Sequence, residues 1–172
     1  MAKTKNKAPG GSSRKRYPAD PATRFARDVI AGKIVAGSHV RDACSRHLKD
    51  LEQGPARGLF WDIEEVAHAI SFFEEVLCLN GGEYEAAPFL LLPWQKFIVG
   101  CLFGWKTDDG YRRFRQGYVE TGKGSGKSPL AAGVGMKGLV ADGEARAEIY
   151  AGATKKDQAM VLFRDAVAMY QL

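Results

Sequence analysis

The sequence lacks cysteine pairs, long apolar runs and acidic residues near its start. Its three cysteines, Cys44, Cys78 and Cys101, lie far apart, with no CxxC spacing and no Cys/His pair. This predicts free, buried thiols in a reducing compartment and excludes a disulfide framework. No run of eighteen apolar residues occurs, so we expect no transmembrane helix. No apolar stretch follows the basic N-terminus, which excludes a secretory signal.

The charge is unevenly distributed along the 172 residues. The net charge is +5, yet residues 1–19 carry six lysines and arginines and no acid. These residues are also rich in Gly and Ser, so we predict a disordered basic tail. Such a tail contacts phosphates loosely or merely keeps the chain soluble. Residues 61–87 are the opposite, with seven acids and no Lys or Arg.

Residues 20–85 have the pattern of a helical lead segment. Asp20 is placed to cap a first helix, apolar residues recur at helical spacing from Val40 to Leu51, and Asp62 is placed to cap a third helix. His47 and His68 lie on or beside apolar stripes without partner ligands at metal-binding spacing. We therefore interpret both histidines as structural.

Residues 86–172 alternate between helix and strand patterns. Pro93 suits the first turn of a helix in which Gln95 is the one uncharged polar side chain. A strand pattern at 111–120 leads into a glycine-rich loop, and a helix is predicted from about Lys127 to Val140. A buried-type strand at 147–154 and an amphipathic helix follow. This order predicts an α/β fold with a partial P-loop (RecA-like) parallel sheet, preceded by the helical segment.

The loop has the residues of a phosphate-binding site. Gly126-Lys127-Ser128 is the GK[ST] end of a P-loop, between a predicted strand and a predicted helix. Glycines allow backbone N–H groups to turn toward a phosphate, and a helix N-terminus adds partial positive charge. Lys127 then reaches the β- and γ-phosphates, and the Ser128 hydroxyl takes a Mg²⁺ position. The alternative interpretation is a flexible turn that happens to hold a lysine.

One residue departs from the usual P-loop pattern. Glycine normally stands five places before the GK glycine, but this chain has Thr121 there, followed by Gly122. The candidate phosphate ligands in the loop are accordingly Thr121, Gly122, Lys123, Gly124, Ser125, Gly126, Lys127 and Ser128.

Three segments together resemble the N-terminal ATPase region of the large terminase subunit of tailed bacteriophages. They are PWQKFIVGCLFGW, RRFRQGYVETGKGSGKSPLAAG and AEIYAGATKKDQA, and the likeness extends over roughly residues 20–172. The family's loop often lacks the first glycine. The resemblance implies a motor that hydrolyses ATP with Mg²⁺ to drive double-stranded DNA into a procapsid in the host cytoplasm.

The resemblance also implies residue roles and partners. Lys127 and Lys123 match the loop positions of catalytic lysines, Lys123 where related motors carry a basic residue near the γ-phosphate. Gln95 resembles a glutamine that reads the adenine edge. The implied partners are the terminase small subunit, the portal protein, the remaining part of the large subunit and further copies in a ring.

No predicted strand after the loop ends in an acid for Mg²⁺. We therefore expect the front part of a longer protein, as a split product or a prophage remnant, with no ATP turnover alone. A non-catalytic packaging or regulatory module with a relic P-loop is the first alternative. A fragment of an unrelated P-loop kinase or helicase is the second.

Overall fold

The structure, a computed structural model, describes residues 17–79 and 81–170. Six α-helices account for about half of these residues. They are α1 (Pro21–Ile30), α2 (Ser38–Gln53), α3 (Ile63–Ser71), α4 (Pro93–Gly104), α5 (Lys127–Val140) and α6 (Lys156–Tyr170). A π-helical turn at Phe72–Val76 continues α3. None of the helices in these ranges has the length and apolarity to span a membrane.

The helices begin where the sequence predicts. The Asp20 side chain accepts a hydrogen bond from Thr23 N–H at 2.9 Å, and Asp62 does the same for Glu65 N–H at 2.9 Å. Each carboxylate thereby satisfies an N–H group that has no partner within its helix. Pro93 occupies the first turn of α4, where its missing N–H costs little.

Two small antiparallel sheets complete the regular structure. Strand β1 (Leu59–Trp61) pairs with β4 (Trp105–Thr107), with Trp61 opposite Trp105. Strand β2 (Cys78–Leu79) pairs with β3 (Ala87–Pro88). Sequence reasoning did not predict these pairs, because each strand has only two or three residues and no turn joins its partners directly.

The α/β class is confirmed, but the structure does not contain the predicted parallel sheet. Segments 111–120 and 147–154 have no assigned strand, apart from a single bridge between Lys106 and Arg112. A β-strand is stabilised by hydrogen bonds to a neighbouring strand, and beyond that bridge neither segment has such a neighbour among the described residues. Tyr118 and Tyr150 consequently remain 88% and 85% exposed.

Helix α4 lies at the centre of the packing. It contacts both α1 and α3, and two glycines on α4 allow the close approach. A methyl group at Gly100 would lie 2.8 Å from Ala22 Cβ, and one at Gly104 would lie 2.2 Å from Val66 Cγ2. Two apolar clusters result, one between α1, α2 and α4 and the other between α3, α4, α5 and α6.

The predicted basic tail, residues 1–19, falls mostly outside the described residues. Its described end is packed against the fold: the Tyr17 hydroxyl donates to Glu52 at 2.5 Å, and the Arg27 guanidinium lies 6.0 Å from the Tyr17 ring centroid. Tyr17, which lies within the predicted tail, therefore contacts the helical segment.

Candidate functional site

The glycine-rich loop leads directly into α5. Gly124 and Gly126 have φ angles of +81° and +79°, in the left-handed region that side chains disfavour. Gly126 immediately precedes the helix and provides no side-chain cap. The first N–H groups of α5 therefore lack a capping side chain and point toward the loop, as in an anion-binding helix N-terminus.

Two hydroxyl groups hold the loop in shape. The Thr121 and Ser125 hydroxyls form a hydrogen bond with each other across the loop. Ser125 Oγ also donates to the Gly122 carbonyl at 2.8 Å. Thr121, which replaces the usual first glycine, thus closes the loop through its side chain. This contact explains how a residue other than glycine is accommodated at that position.

Lys127 is the first residue of α5, and its side chain turns back over the loop. Its ammonium group donates to the Thr121 carbonyl at 2.5 Å and to the Gly122 carbonyl at 3.3 Å. The charge is thereby held above the residues whose backbone would surround a phosphate. An anion in the loop would meet this ammonium group together with the helix N-terminus.

Lys123 and Ser128 have fewer contacts. Lys123 is exposed, and no acid within the described ranges pairs with it. Ser128 is half-buried in the first turn of α5, and its hydroxyl has no hydrogen-bond partner in that same part of the chain. Both groups are available to a ligand, and Ser128 has the hard oxygen that Mg²⁺ prefers.

Gln95 lies against the loop and not in solvent. Its side chain is buried, with 4% of the residue exposed. Its Oε1 accepts a hydrogen bond from Leu92 N–H at 2.8 Å and so caps α4. A methyl group added at Gly126 would lie 3.5 Å from Gln95 Nε2. The structure therefore brings Gln95 and the loop together, with the Gln95 side chain buried.

Sequence reasoning missed the pair that fixes the far end of α5. Lys137 is completely buried, and its ammonium group donates to Glu65 Oε1 at 2.9 Å. The same group lies 4.8 Å from the Phe103 ring centroid. The available signal was a lysine within the otherwise apolar run from Leu130 to Val140. A charged residue on an apolar helix is buried together with its neighbours and then needs a counter-charge.

His47 is structural, as its place on an apolar stripe indicates. Trp105 Nε1–H donates to His47 Nδ1 at 3.1 Å, and His47 Nε2 lies 3.0 Å from the Thr23 hydroxyl. The Thr23 hydroxyl in turn donates to Asp20 at 2.6 Å. Burial lowers the pKa of His47 to about 4 against the opposing charges of Asp20 and Asp50, so the ring is neutral. The described residues contain no cluster of side chains suited to a metal ion.

Two of the three thiols, those of Cys44 and Cys101, are weak nucleophiles. The three cysteines are free, and burial raises the pKa of Cys44 to about 11 and that of Cys101 further. A thiol whose pKa is raised in this way is mostly protonated and is a weak nucleophile. Cys44 is buried, as predicted, whereas Cys78 and Cys101 are only partly buried.

A groove of about 1300 Å³ runs beside Lys127, between α4, α5 and the two segments that lack strand pairing. Its lining is apolar and aromatic with four cationic side chains and no carboxylate. The cations are Arg46, Arg112, Arg115 and Lys127. No acid of the described residues therefore faces the loop lysine across this groove.

Comparison with known protein families gives one match. Residues 93–172, just under half of the chain, match the family described as terminase large subunit, ATPase domain. The match begins at the first residue of α4 and therefore includes Gln95, the loop, α5 and α6.

Residues 93–172 are thus similar to the ATPase domain of terminase large subunits, the family of phage packaging-motor ATPases. Residues 17–92, which contain α1, α2 and α3, precede the match. Comparison with curated proteins and with solved structures gave no match.

Proposed function

We propose that the chain binds Mg²⁺-ATP in the loop at residues 121–128, as part of a motor that moves double-stranded DNA into a procapsid. One observation carries this proposal. Within the terminase ATPase match, a loop with two left-handed glycines ends at an uncapped helix, and the Lys127 ammonium group lies over that loop at 2.5 Å from the Thr121 carbonyl.

Each loop residue has a role in this proposal. Backbone N–H groups from Gly122 to Gly126 and the first turn of α5 bind the phosphate oxygens. Lys127 leaves the loop carbonyls and binds the β- and γ-phosphates, while the Ser128 hydroxyl is a Mg²⁺ ligand. Lys123 meets the γ-phosphate. As a lysine it acts as a point charge, because it lacks the planar fork of arginine.

Gln95 supplies base preference. An amide donates to N7 and accepts from the N6 amino group of adenine. The Gln95 Nε2 group lies next to Gly126, and Oε1 retains one lone pair beside its bond to Leu92 N–H. Both groups are therefore available at the edge of the loop, so we expect a preference for ATP over GTP.

The parallel sheet belongs to the assembled motor in this proposal. Segments 111–120 and 147–154 flank the loop and α5 in the order of a P-loop core. They would pair as parallel strands when further strands lie beside them, supplied by this protein or another. Those strands would also bring the carboxylates that bind Mg²⁺ and activate water, while the small subunit, the portal and a ring of copies complete the motor.

A non-catalytic packaging or regulatory module is the second candidate. The absence of carboxylates from the groove beside Lys127 favours it. Such a module would bind nucleotide through the same loop and regulate an associated protein without turnover. Affinity for ATP is common to both candidates, whereas phosphate release separates them.

The proposal is tested by titrating the full chain with a fluorescent ATP analogue and Mg²⁺. Lys127→Ala removes a charge-assisted contact worth about 1.5–3 kcal/mol, which corresponds to roughly 10- to 100-fold weaker binding. Lys156→Ala is the matched control, because Lys156 is also the exposed first residue of a helix. Equal affinities for the wild type and Lys127→Ala would disprove the phosphate assignment.

A further inference from the structure

We propose that the Glu65–Lys137 ion pair is a positioning device, which couples the preceding helical segment to the phosphate loop through α5. The inference rests on the proposed nucleotide site and adds to it a control element outside the terminase match. Glu65 lies on α3, before the matched residues, and Lys137 lies on α5, within them.

Two contacts attach α5 to the α3 region. The first is the ion pair, with 2.9 Å between Lys137 Nζ and Glu65 Oε1. The second is at Gly133, one turn closer to the loop, where an added methyl group would lie 2.3 Å from the Phe73 ring. Phe73 is itself fully buried. The helix that begins at Lys127 is therefore held at two points along one side.

The loss of only one of the two charges in this ion pair is energetically unfavourable. Lys137 is completely buried, whereas the Glu65 side chain is 23% exposed and also lies 3.8 Å from His68 Nδ1. If Glu65 loses its charge, the ammonium group keeps only neutral contacts among the described residues: the side-chain oxygen at position 65, the weaker Ala141 carbonyl contact at 3.4 Å and the Phe103 ring. A buried charge without a counter-charge is strongly unfavourable, so the helix end moves toward water.

Movement at Lys137 is transmitted to the loop by the helix itself. Ten residues separate Lys137 from Lys127, about 15 Å along one uninterrupted helix. The N-terminus of that helix carries the N–H groups and the lysine that bind phosphate in the proposed function. A shift of α3 relative to α5 therefore changes the geometry of the phosphate site without touching the nucleotide.

The test compares nucleotide affinity among variants of the full chain. Glu65→Gln removes the charge and keeps the shape, and Glu65→Gln/Lys137→Met removes both charges. We expect Glu65→Gln to weaken binding of the fluorescent ATP analogue about fivefold, a typical coupling between sites. The double variant should recover most of this loss, because it leaves no unpaired buried charge.

Phe25→Leu is the control for a general loss of stability, because Phe25 lies in the other apolar cluster, away from α5. It should lower the melting temperature without changing affinity. Hydrogen exchange without nucleotide gives a second readout: amides at 127–133 should exchange faster in Glu65→Gln than in the wild type, and recover in the double variant. Glu65→Asp, which keeps the charge but shortens the side chain, replaces Glu65→Gln if the latter does not fold.

Unchanged affinity and unchanged exchange at 127–133 in the Glu65 variant would overturn the inference. The inference would also be overturned if Phe25→Leu, at the same decrease in melting temperature as Glu65→Gln, lost as much affinity as Glu65→Gln does. Failure of the proposed function is distinguishable, because the wild type and Lys127→Ala would then bind nucleotide equally. In that case the exchange rates alone decide whether Glu65 positions α5.

Discussion

Gln95 shows how one side chain combines a structural and a proposed functional role. Its oxygen caps α4 and its amide nitrogen lies beside Gly126. Gln95→Glu retains the acceptor for Leu92 N–H but loses the donor, whereas Gln95→Ala loses both. We predict that both variants narrow the difference between ATP and GTP affinity. Gln95→Ala alone should also lower the free energy of unfolding by about 1 kcal/mol, because it removes the cap of α4.

Competition titrations with ATP and GTP, together with urea unfolding of the three proteins, measure both effects. If Gln95→Glu has the same preference for ATP over GTP as the wild type, the proposed role of Gln95 in adenine recognition is wrong. Its role as the cap of α4 would be unaffected.

At the scale of elements, α5 offers two glycines with opposite surroundings. Gly133→Ala places a methyl group 2.3 Å from the buried Phe73 ring, while Gly138→Ala meets Ile149 at an ordinary 3.6 Å. We predict that Gly133→Ala destabilises the chain by about 1–3 kcal/mol through overpacking. Gly138→Ala should be neutral or stabilising by up to about 1 kcal/mol, because alanine is the better helix former. Chemical unfolding of both variants tests this, and equal stabilities would mean that α5 does not pack on Phe73.

The elements also separate what the sequence can predict from what it cannot. Helix starts depend on local signals, so Asp20, Asp62 and Pro93 predicted them correctly. Strands depend on partners distant in sequence, so 111–120 and 147–154 were predicted as strands but remain unpaired in the structure. For the site, the spacing of Gly126, Lys127 and Ser128 predicts the end of a phosphate-binding loop, and the predicted start of the following helix at Lys127 is confirmed. The burial of Gln95 and the Glu65–Lys137 pair required tertiary structure, because these contacts join residues 31 or more positions apart.

At the scale of the whole molecule, the buried His47 links folding to pH. Its pKa falls from 6.5 to about 4 on folding, so the unfolded chain binds the additional proton. The contribution to stability is complete above pH 6.5 and is lost as the pH falls toward 4, in total roughly 3 kcal/mol. Asp50 does not mask this, because hydrogen bonds and charges from Arg113 and Arg57 outweigh its burial and hold its pKa below 3.8.

Urea unfolding between pH 7 and pH 4 should show that the free energy of unfolding of the wild type decreases as the pH falls. The decrease should be smaller in His47→Gln, because glutamine does not titrate. Parallel curves would mean that His47 is not buried in the neutral form.

Turnover is the second property of the whole molecule. Among the described residues no carboxylate lines the groove beside Lys127, so we predict that the 172-residue chain releases phosphate from ATP no faster than its Lys127→Ala variant. Steady phosphate release that disappears in that variant would show that the chain contains a water-activating acid and is an enzyme by itself.

The central claim, that the loop at 121–128 holds the phosphates of ATP, is tested most directly by hydrogen exchange of its backbone amides. Mg²⁺-ATP and inorganic triphosphate should both slow exchange from Gly122 to Ser128, whereas adenosine, which has no phosphate, should leave it unchanged. Absence of protection by either phosphate compound, or protection confined to another part of the chain, would contradict the account.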